Sequence, residues 1–446
     1  RYPQPAADCR LPAWMICDAG LGRRGTDYVF SAPYLIQVWI DAGSRYETER
    51  TNGTAHFLEH MAFKGTARMG ARELEETVEG MGAHLNAYTS REQTTYYAKC
   101  AGKESVGKCV GLLADILQRP ALDAAAVERE RGVILREMQE VEGQPEEVLF
   151  DHLHATAFQK TSLGRPILGP AENVRSITRD DLQEYIQSHY TAGRMVVVGA
   201  GDIDHKAFVE KVAKEFEDLP KGGSAQGLIQ AEPALFTGSE VRLRDPDAEK
   251  VHVAVSVKGV GWNDPDSVPL MVMQHMLGSM DKDSYVGVNS GSKLQQRLAA
   301  NNLCDHFMTF NTHYTDTGIF GMYAVSDAEK MDDLCWTMMH DMTALAYSVT
   351  DLEVNRAKNQ LKSSLLLSAD GTSGIAEEMG RQILTYGRHI SKEEMYARID
   401  AVDVDAVKGV AGRLIQDNEV AIAAMGDTTS MQDYHWFRRM TYWLTY

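Results

Sequence analysis

The sequence predicts an α+β protein of two homologous α/β-sandwich domains, with mixed, mostly antiparallel sheets flanked by helices, joined by a mid-chain linker. Three observations carry this expectation. Short stretches that alternate as strands are interspersed with longer stretches of helical periodicity. A run rich in Pro, Gly and Ser, Leu219-Pro220-Lys221-Gly222-Gly223-Ser224-Ala225-Gln226-Gly227, falls almost at the midpoint of the 446 residues. The half of the chain after that run repeats, in the same order, the pattern of the half before it. The division expected is an N-terminal domain over 1–218, a linker over 219–240 and a C-terminal domain over 241–446.

After a polar lead-in, Tyr34-Leu35-Ile36-Gln37-Val38-Trp39-Ile40 alternates as a half-buried strand and runs out at Gly43. A polar loop, Ser44 to Gly53, leads to a helix with Thr54 as its expected N-cap. A second helix is expected around Ala71 to Glu79, with a Gly80-Met81-Gly82 break after it. Strands are expected over Leu85 to Ser90 and Thr94 to Lys99, and helices over Ser105 to Leu117, Ala124 to Val141 and Arg179 to His189. Met195-Val196-Val197-Val198-Gly199 reads as the last strand of the first half.

In the second half, Val251 to Val255 precedes Met271 to Met276 by the interval that separates Ile36 to Ile40 from His56 to Met61. Asp351 to Arg356 echoes Asp123 to Arg129, and Ala424-Met425-Gly426-Asp427 echoes Gly199-Ala200-Gly201-Asp202. The repeat is an internal duplication of a unit of about 220 residues, and it serves as a control. Where the first copy has His56 and Glu59, the second has Met271 and Gln274. A packing role would tolerate the same residues in both copies, so any chemistry belongs to the first.

That chemistry is suggested by His56-Phe57-Leu58-Glu59-His60. On a helix, positions i, i+3 and i+4 share a face, so two imidazoles and a carboxylate would project together. Two neutral imidazoles can take two corners of a zinc tetrahedron, and Glu59 would be placed to accept a proton from water. The order is the reverse of the common H-E-x-x-H motif. Two histidines on a helix are as often ordinary packing or surface residues, so the rest of the chain must decide. A catalytic zinc needs a third protein ligand, and the stretch Glu128 to Val141 offers Glu130, Glu137 and Glu140. Spacing does not choose among them, although Glu137 falls opposite Ser364 of the second copy.

The His56 to His60 motif with Glu137 downstream resembles the zinc site of the pitrilysin-like, or inverzincin, metallopeptidases, a family that includes insulin-degrading enzyme. Within it, the runs Gly53 to Thr66, Leu85 to Thr94, Phe150-Asp151-His152-Leu153-His154, Tyr434 to Arg439 and Thr441 to Leu444 resemble the β-type subunits of mitochondrial presequence-processing peptidases. The resemblance implies that His56, His60 and Glu137 hold Zn2+ and that Glu59 is the general base. It implies that Glu147 and Asp151 receive the presequence arginine upstream of the cut, for which their i, i+4 carboxylates suit a guanidinium fork. It also implies that Asn86, Ala87 and Tyr88 lie on a strand edge against which the substrate runs extended. Glu130, two turns before Glu137, is expected to orient a His ligand from behind. By the same resemblance Phe310 to Tyr314 faces the substrate cavity, which makes Asn311 and Tyr314 candidates for substrate contact, with a structural role as the simpler reading.

Partners implied by the resemblance are an α-type, core-2-like homologous subunit, basic presequence peptides and other subunits of complex III, in the mitochondrial matrix or on the matrix side of the inner membrane. The α-type subunits carry a long glycine-rich loop and lack the ligands. Here the region Leu277 to Ser292 is only modestly glycine-rich and the ligands are intact, which points to the β type. The competing readings are a purely structural, inactive core-1-type subunit of complex III and a self-contained homo-oligomeric peptidase.

Bulk properties set the outer limits. A net charge of −18 argues against nucleic-acid binding and favours basic partners. The six cysteines show no C-x-x-C spacing, which favours a reducing compartment over a disulfide scaffold. No run of about 18 apolar residues is present, so no membrane span is expected. The sequence starts at Arg1, and removal of a targeting peptide is the expectation drawn from that.

Overall fold

The computed structural model describes residues 16–19, 33–220, 231–283 and 289–442. Residues 221–230 of the expected linker, 284–288 of the loop after Leu277, and Trp443 and Leu444 of the terminal motif lie outside the described residues. The chain runs through β1 (Ile16–Ala19), β2 (Tyr34–Ile40), α1 (Thr54–Ala62), α2 (Ala71–Gly80), β3 (Ala83–Thr89), β4 (Thr94–Cys100) and α3 (Lys103–Gln118). Next come α4 (Ala124–Glu142), α5 (Pro145–Ala157), α6 (Ala171–Ser176), α7 (Arg179–His189), β5 (Met195–Ala200) and α8 (His205–Glu215). The second half has β6 (Ser239–Arg244), β7 (Val251–Gly259), α9 (Ser267–Leu277), β8 (Ser279–Asp281), α10 (Lys293–Ala300), β9 (His306–His313), β10 (Gly318–Ser326) and α11 (Met331–Ala344). It ends with α12 (Asp351–Ser368), α13 (Gly371–Tyr386), α14 (Lys392–Asp400), α15 (Val404–Leu414), β11 (Val420–Gly426) and α16 (Tyr434–Met440).

Two compact units result, and they bear out the two-domain α+β expectation. Unit 1 takes Arg1–Arg136, Pro166–Ala231 and Ser368–His389; unit 2 takes Glu137–Arg165, Glu232–Leu367 and Ile390–Tyr446. The sheet of unit 1 is ordered β1-β5-β2-β4-β3, with β1 parallel to β5 and the remaining neighbours antiparallel. Unit 2 repeats that order as β6-β11-β7-β10-β9, again with one parallel pair, β6 and β11, and adds β8 outside β9. The duplication read from the sequence is therefore a duplication of topology. It has one asymmetry: β9 is covered by β8, whereas its counterpart β3 is the edge of its sheet among the described residues.

The compact units are not contiguous halves cut once at 219–240. Helix α5, from the first half, packs Leu149, Leu153 and Ala157, all fully buried, against Ala254, Ile319, Ala421 and Ala423 of the second sheet. Helix α13, from the second half, lays Ala376 and Ile383 on Leu35, Trp39, Val196 and Val198 of the first sheet. Each helix follows the apolar face that buries it best.

That packing also changes the reading of β2. All seven of its residues are buried, so it is a central strand covered on both faces rather than a half-buried one. Gln37, which suggested a solvent face, is 3% exposed and hydrogen-bonded instead.

Candidate metal centre

The first requirement of the site is a fixed start for α1. Thr54 is not the N-cap; that place belongs to Gly53, at φ 105°, and a Cβ on Gly53 would stand 2.7 Å from the Leu168 carbonyl oxygen. The capping acceptor comes from a distance. The buried Glu47 carboxylate accepts from Ala55 N–H at 2.6 Å, Gly53 N–H at 2.9 Å and Asn52 Nδ2 at 2.8 Å. A carboxylate at a helix N-terminus satisfies otherwise orphaned donors and complements the helix dipole. Glu47→Ala strands three buried donors, and a loss of about 3 kcal/mol is expected. Thermal unfolding followed by circular dichroism measures it, with an unchanged midpoint contradicting the capping role.

On the helix so fixed, His56 is buried and His60 half-buried, with ring centroids 4.8 Å apart. Glu137 comes from α4, a single unbroken helix. One ligand atom each of His56, His60 and Glu137 lie within 4.8 Å of one another, and no other such group occurs among the described residues. Two imidazole nitrogens and a carboxylate oxygen at that separation fit a tetrahedral divalent cation with a fourth position left open. The choice that spacing left open is thereby narrowed: Glu140 is exposed and outside the group, and Glu130 plays a different part.

Glu130 is 7% exposed. Its Oε2 lies 3.5 Å from His60 Nδ1, and its Oε1 is 2.8 Å from Lys64 Nζ. A carboxylate on one ring nitrogen fixes the orientation of the ring and leaves the other nitrogen for a metal. Lys64, to which the sequence reading gave no role, stands in the bend just after α1, where helical spacing offers no signal. Arg131 stacks over the Phe57 ring at 5.9 Å and donates to the Ile177 carbonyl at 3.0 Å, tying α4 to both α1 and the end of α6.

Glu59 is half-buried, one turn after His56. The Tyr96 and Tyr190 hydroxyls, both buried, are 3.0 Å apart. Burial pushes both phenols well above their ordinary range, and the Glu59 carboxylate adds to the shift. Both phenols therefore remain neutral at neutral pH. No pattern in the sequence pointed to this pair.

The remaining expected residues divide between two places. Asn86, Ala87 and Tyr88 lie on β3, where Asn86 is exposed, Ala87 buried and Tyr88 half-buried. The Ala87 N–H donates to the side-chain oxygen of Asn86 at 2.8 Å. Glu147 is exposed and Asp151 half-buried, one turn apart on α5 in unit 2. Asn311 is half-buried on β9. Tyr314 is 7% exposed, and its hydroxyl is 2.7 Å from His154 Nε2, so it packs α5 onto the sheet of unit 2.

Comparison with known proteins accords with this site. Residues 32–171 match the family described as Insulinase (Peptidase family M16), and residues 176–361 match the Peptidase M16 inactive domain. An Arabidopsis thaliana protein named "Probable mitochondrial-processing peptidase subunit beta, mitochondrial" is 57% identical over 92% of this chain and 77% of its own. Mitochondrial-processing peptidase subunit beta of Lentinula edodes is 50% identical over 90% of this chain and 86% of its own, and that of Homo sapiens 48% over 92% and 83%. A chain of the solved structure titled "Complex III2 from Candida albicans, Inz-5 bound" shares the fold, with a TM-score of 0.84 and 23% identity over 96% of this chain and 97% of that one. The matched stretch that contains the His56, His60 and Glu137 cluster is the peptidase one and the other is the one described as inactive, so the chain belongs to peptidase family M16 and is a metallopeptidase.

Proposed function

We propose that this chain is the catalytic β-type subunit of a zinc endopeptidase that removes N-terminal presequences from imported mitochondrial precursors. The observation that carries the proposal is the convergence of His56, His60 and Glu137 in the copy that has them, opposite Met271, His275 and Ser364 in the copy that does not. The names of relatives at 48–57% identity support the substrate class and the mitochondrial location. Zinc suits the two imidazoles and one carboxylate better than harder cations, which prefer all-oxygen sites. When bound there, it supplies Lewis acidity toward water and toward the scissile carbonyl.

The chain's own residues do the rest. Glu59 takes the proton of the attacking water and returns it to the leaving amine. Glu130 holds the His60 ring in one orientation and tautomer. The edge strand β3 receives the substrate as an added strand, with the Asn86 side-chain oxygen standing in, before substrate arrives, for the carbonyl that would accept from Ala87 N–H. Main-chain pairing explains how one site accepts many presequences. Glu147 and Asp151 supply the carboxylates for the arginine upstream of the cut.

The partner is an α-type homologous subunit, and basic presequences suit a chain of charge −18. The fold shared with a chain of complex III lets this chain also serve as its core-1-type subunit on the matrix side of the inner membrane. No helix among the described residues is long and apolar enough to cross a membrane. The intact ligand set favours a working peptidase over a purely structural core subunit.

The experiment is cleavage of paired presequence peptides, with Arg or Ala at the upstream position, by the chain purified with its α-type partner. The parent is expected to cleave the Arg peptide in a chelator-sensitive, zinc-restored reaction. Glu147→Ala should lower kcat/KM about 10- to 100-fold on the Arg peptide, the worth of a charged hydrogen bond. The Ala peptide should be little affected, and an equal loss on both peptides would refute the pairing.

A further inference from the structure

One carboxylate in unit 1 belongs to neither the metal centre nor the core of its sheet. Glu377, on α13, takes a donor on each oxygen: Tyr88 hydroxyl on Oε1 at 2.5 Å and Gln37 Nε2 on Oε2 at 3.1 Å. Gln37 Oε1 in turn accepts from Trp39 Nε1 at 3.3 Å. In the order β2-β4-β3, the central strand carries Gln37 and the edge strand carries Tyr88, with β4 lying between them. Glu377 therefore straps the edge strand to the centre of the sheet across an intervening strand.

Two further contacts show that α13 is seated to allow this. A Cβ on Gly380, one turn after Glu377, would lie 2.0 Å from Trp39 Nε1, so only glycine lets the helix come down onto the indole. The Tyr88 ring stands edge-on to that same indole, centroids 6.2 Å apart at 87°. Burial, and then the bond to Glu377, push the Tyr88 phenol well above its ordinary range, so the hydroxyl stays a donor at neutral pH.

An edge strand is hydrogen-bonded to its sheet on one side only, and its twist depends more on side-chain anchors than that of a central strand. We propose that Glu377 is a positioning residue for substrate: through Tyr88 it holds β3 in the register and twist that an extended peptide needs for pairing. Peptide affinity is then set partly by the half of the sequence that has no metal ligands. The inference rests on the reading of β3 as the substrate edge.

The test uses the chain complexed with its α-type partner, with binding of a fluorescent presequence peptide measured by anisotropy in a Glu59→Gln background. KM and kcat are measured in parallel without that background change. Glu377→Gln and Tyr88→Phe are each expected to weaken peptide binding and raise KM about 10-fold. In both, kcat should stay within about twofold and metal content should be unchanged. The double variant should be no weaker than either single one, because the same bond is broken once. Should Glu377→Gln fail to fold, Tyr88→Phe, which keeps the ring on Trp39, decides the matter. Unchanged peptide affinity in the folded variants, or losses that simply add, would overturn the role of Glu377. A peptide N-methylated at alternate backbone amides separates the two readings. If the parent binds it as well as the unmodified peptide, pairing on β3 is wrong and the proposal falls with it.

Discussion

Replacing Glu59 by Gln is expected to lower presequence-peptide cleavage by about 1,000-fold, within the range that a positioned acid–base group contributes. The side chain keeps its size and its place one turn after His56, so α1, capped from Glu47, has no reason to move. What disappears is a group that can take a proton and give it back. Metal content by inductively coupled plasma mass spectrometry should stay at one per chain, because Glu59 is not among the three residues whose ligand atoms cluster. Peptide affinity should also persist, since pairing along β3 does not use this carboxylate. Two outcomes would sink the assignment. Turnover within about tenfold of the parent would mean that another base serves, and loss of metal together with activity would mean that Glu59 holds the site together.

Half of this site was legible because it is local. Two imidazoles and a carboxylate within five residues declare a helix face, and the duplicated half supplied the contrast at Met271 and Gln274. The third ligand was not legible in the same way. Glu130, Glu137 and Glu140 are separated by seven and three residues, spacings that keep all three near one face of α4, and only the way α4 meets α1 distinguishes them. Glu47 left no trace because it is a single residue in an irregular loop that acts on a helix several residues later. Glu377 and Tyr88 are 289 positions apart, and no periodicity connects them.

The same limit applied to the fold. No helix was read over α5 or α13, and local periodicity does not say which sheet such a helix would meet. The contiguous halves were therefore a natural reading, and the traded helices could not be foreseen. The half-buried reading of β2 failed for a related reason. A polar residue in a strand signals water or a buried partner equally, and here the partner arrives from α13.

The ligand assignment itself predicts the second large effect. Glu137→Gln replaces an anionic oxygen donor by a neutral amide and leaves two imidazoles, which is fewer protein ligands than a catalytic zinc site uses. Zinc affinity, measured by competition with a chromophoric chelator, should fall by more than about 100-fold, beyond the loss typical for an outer partner of a ligand. Peptidase activity should fall with it and return only in part at high zinc. Glu130→Gln is the graded comparison: it keeps all three ligands but loosens the hold on His60 Nδ1 and Lys64, so its loss should fall within about 10- to 100-fold. Glu140→Gln, exposed on the same helix, controls for changes in α4 and should bind zinc as the parent does. The order of the three variants is the informative result. If Glu137→Gln retains zinc as well as Glu140→Gln does, the carboxylate beside the two histidines is not a ligand, and the metal must be held by a different set of residues.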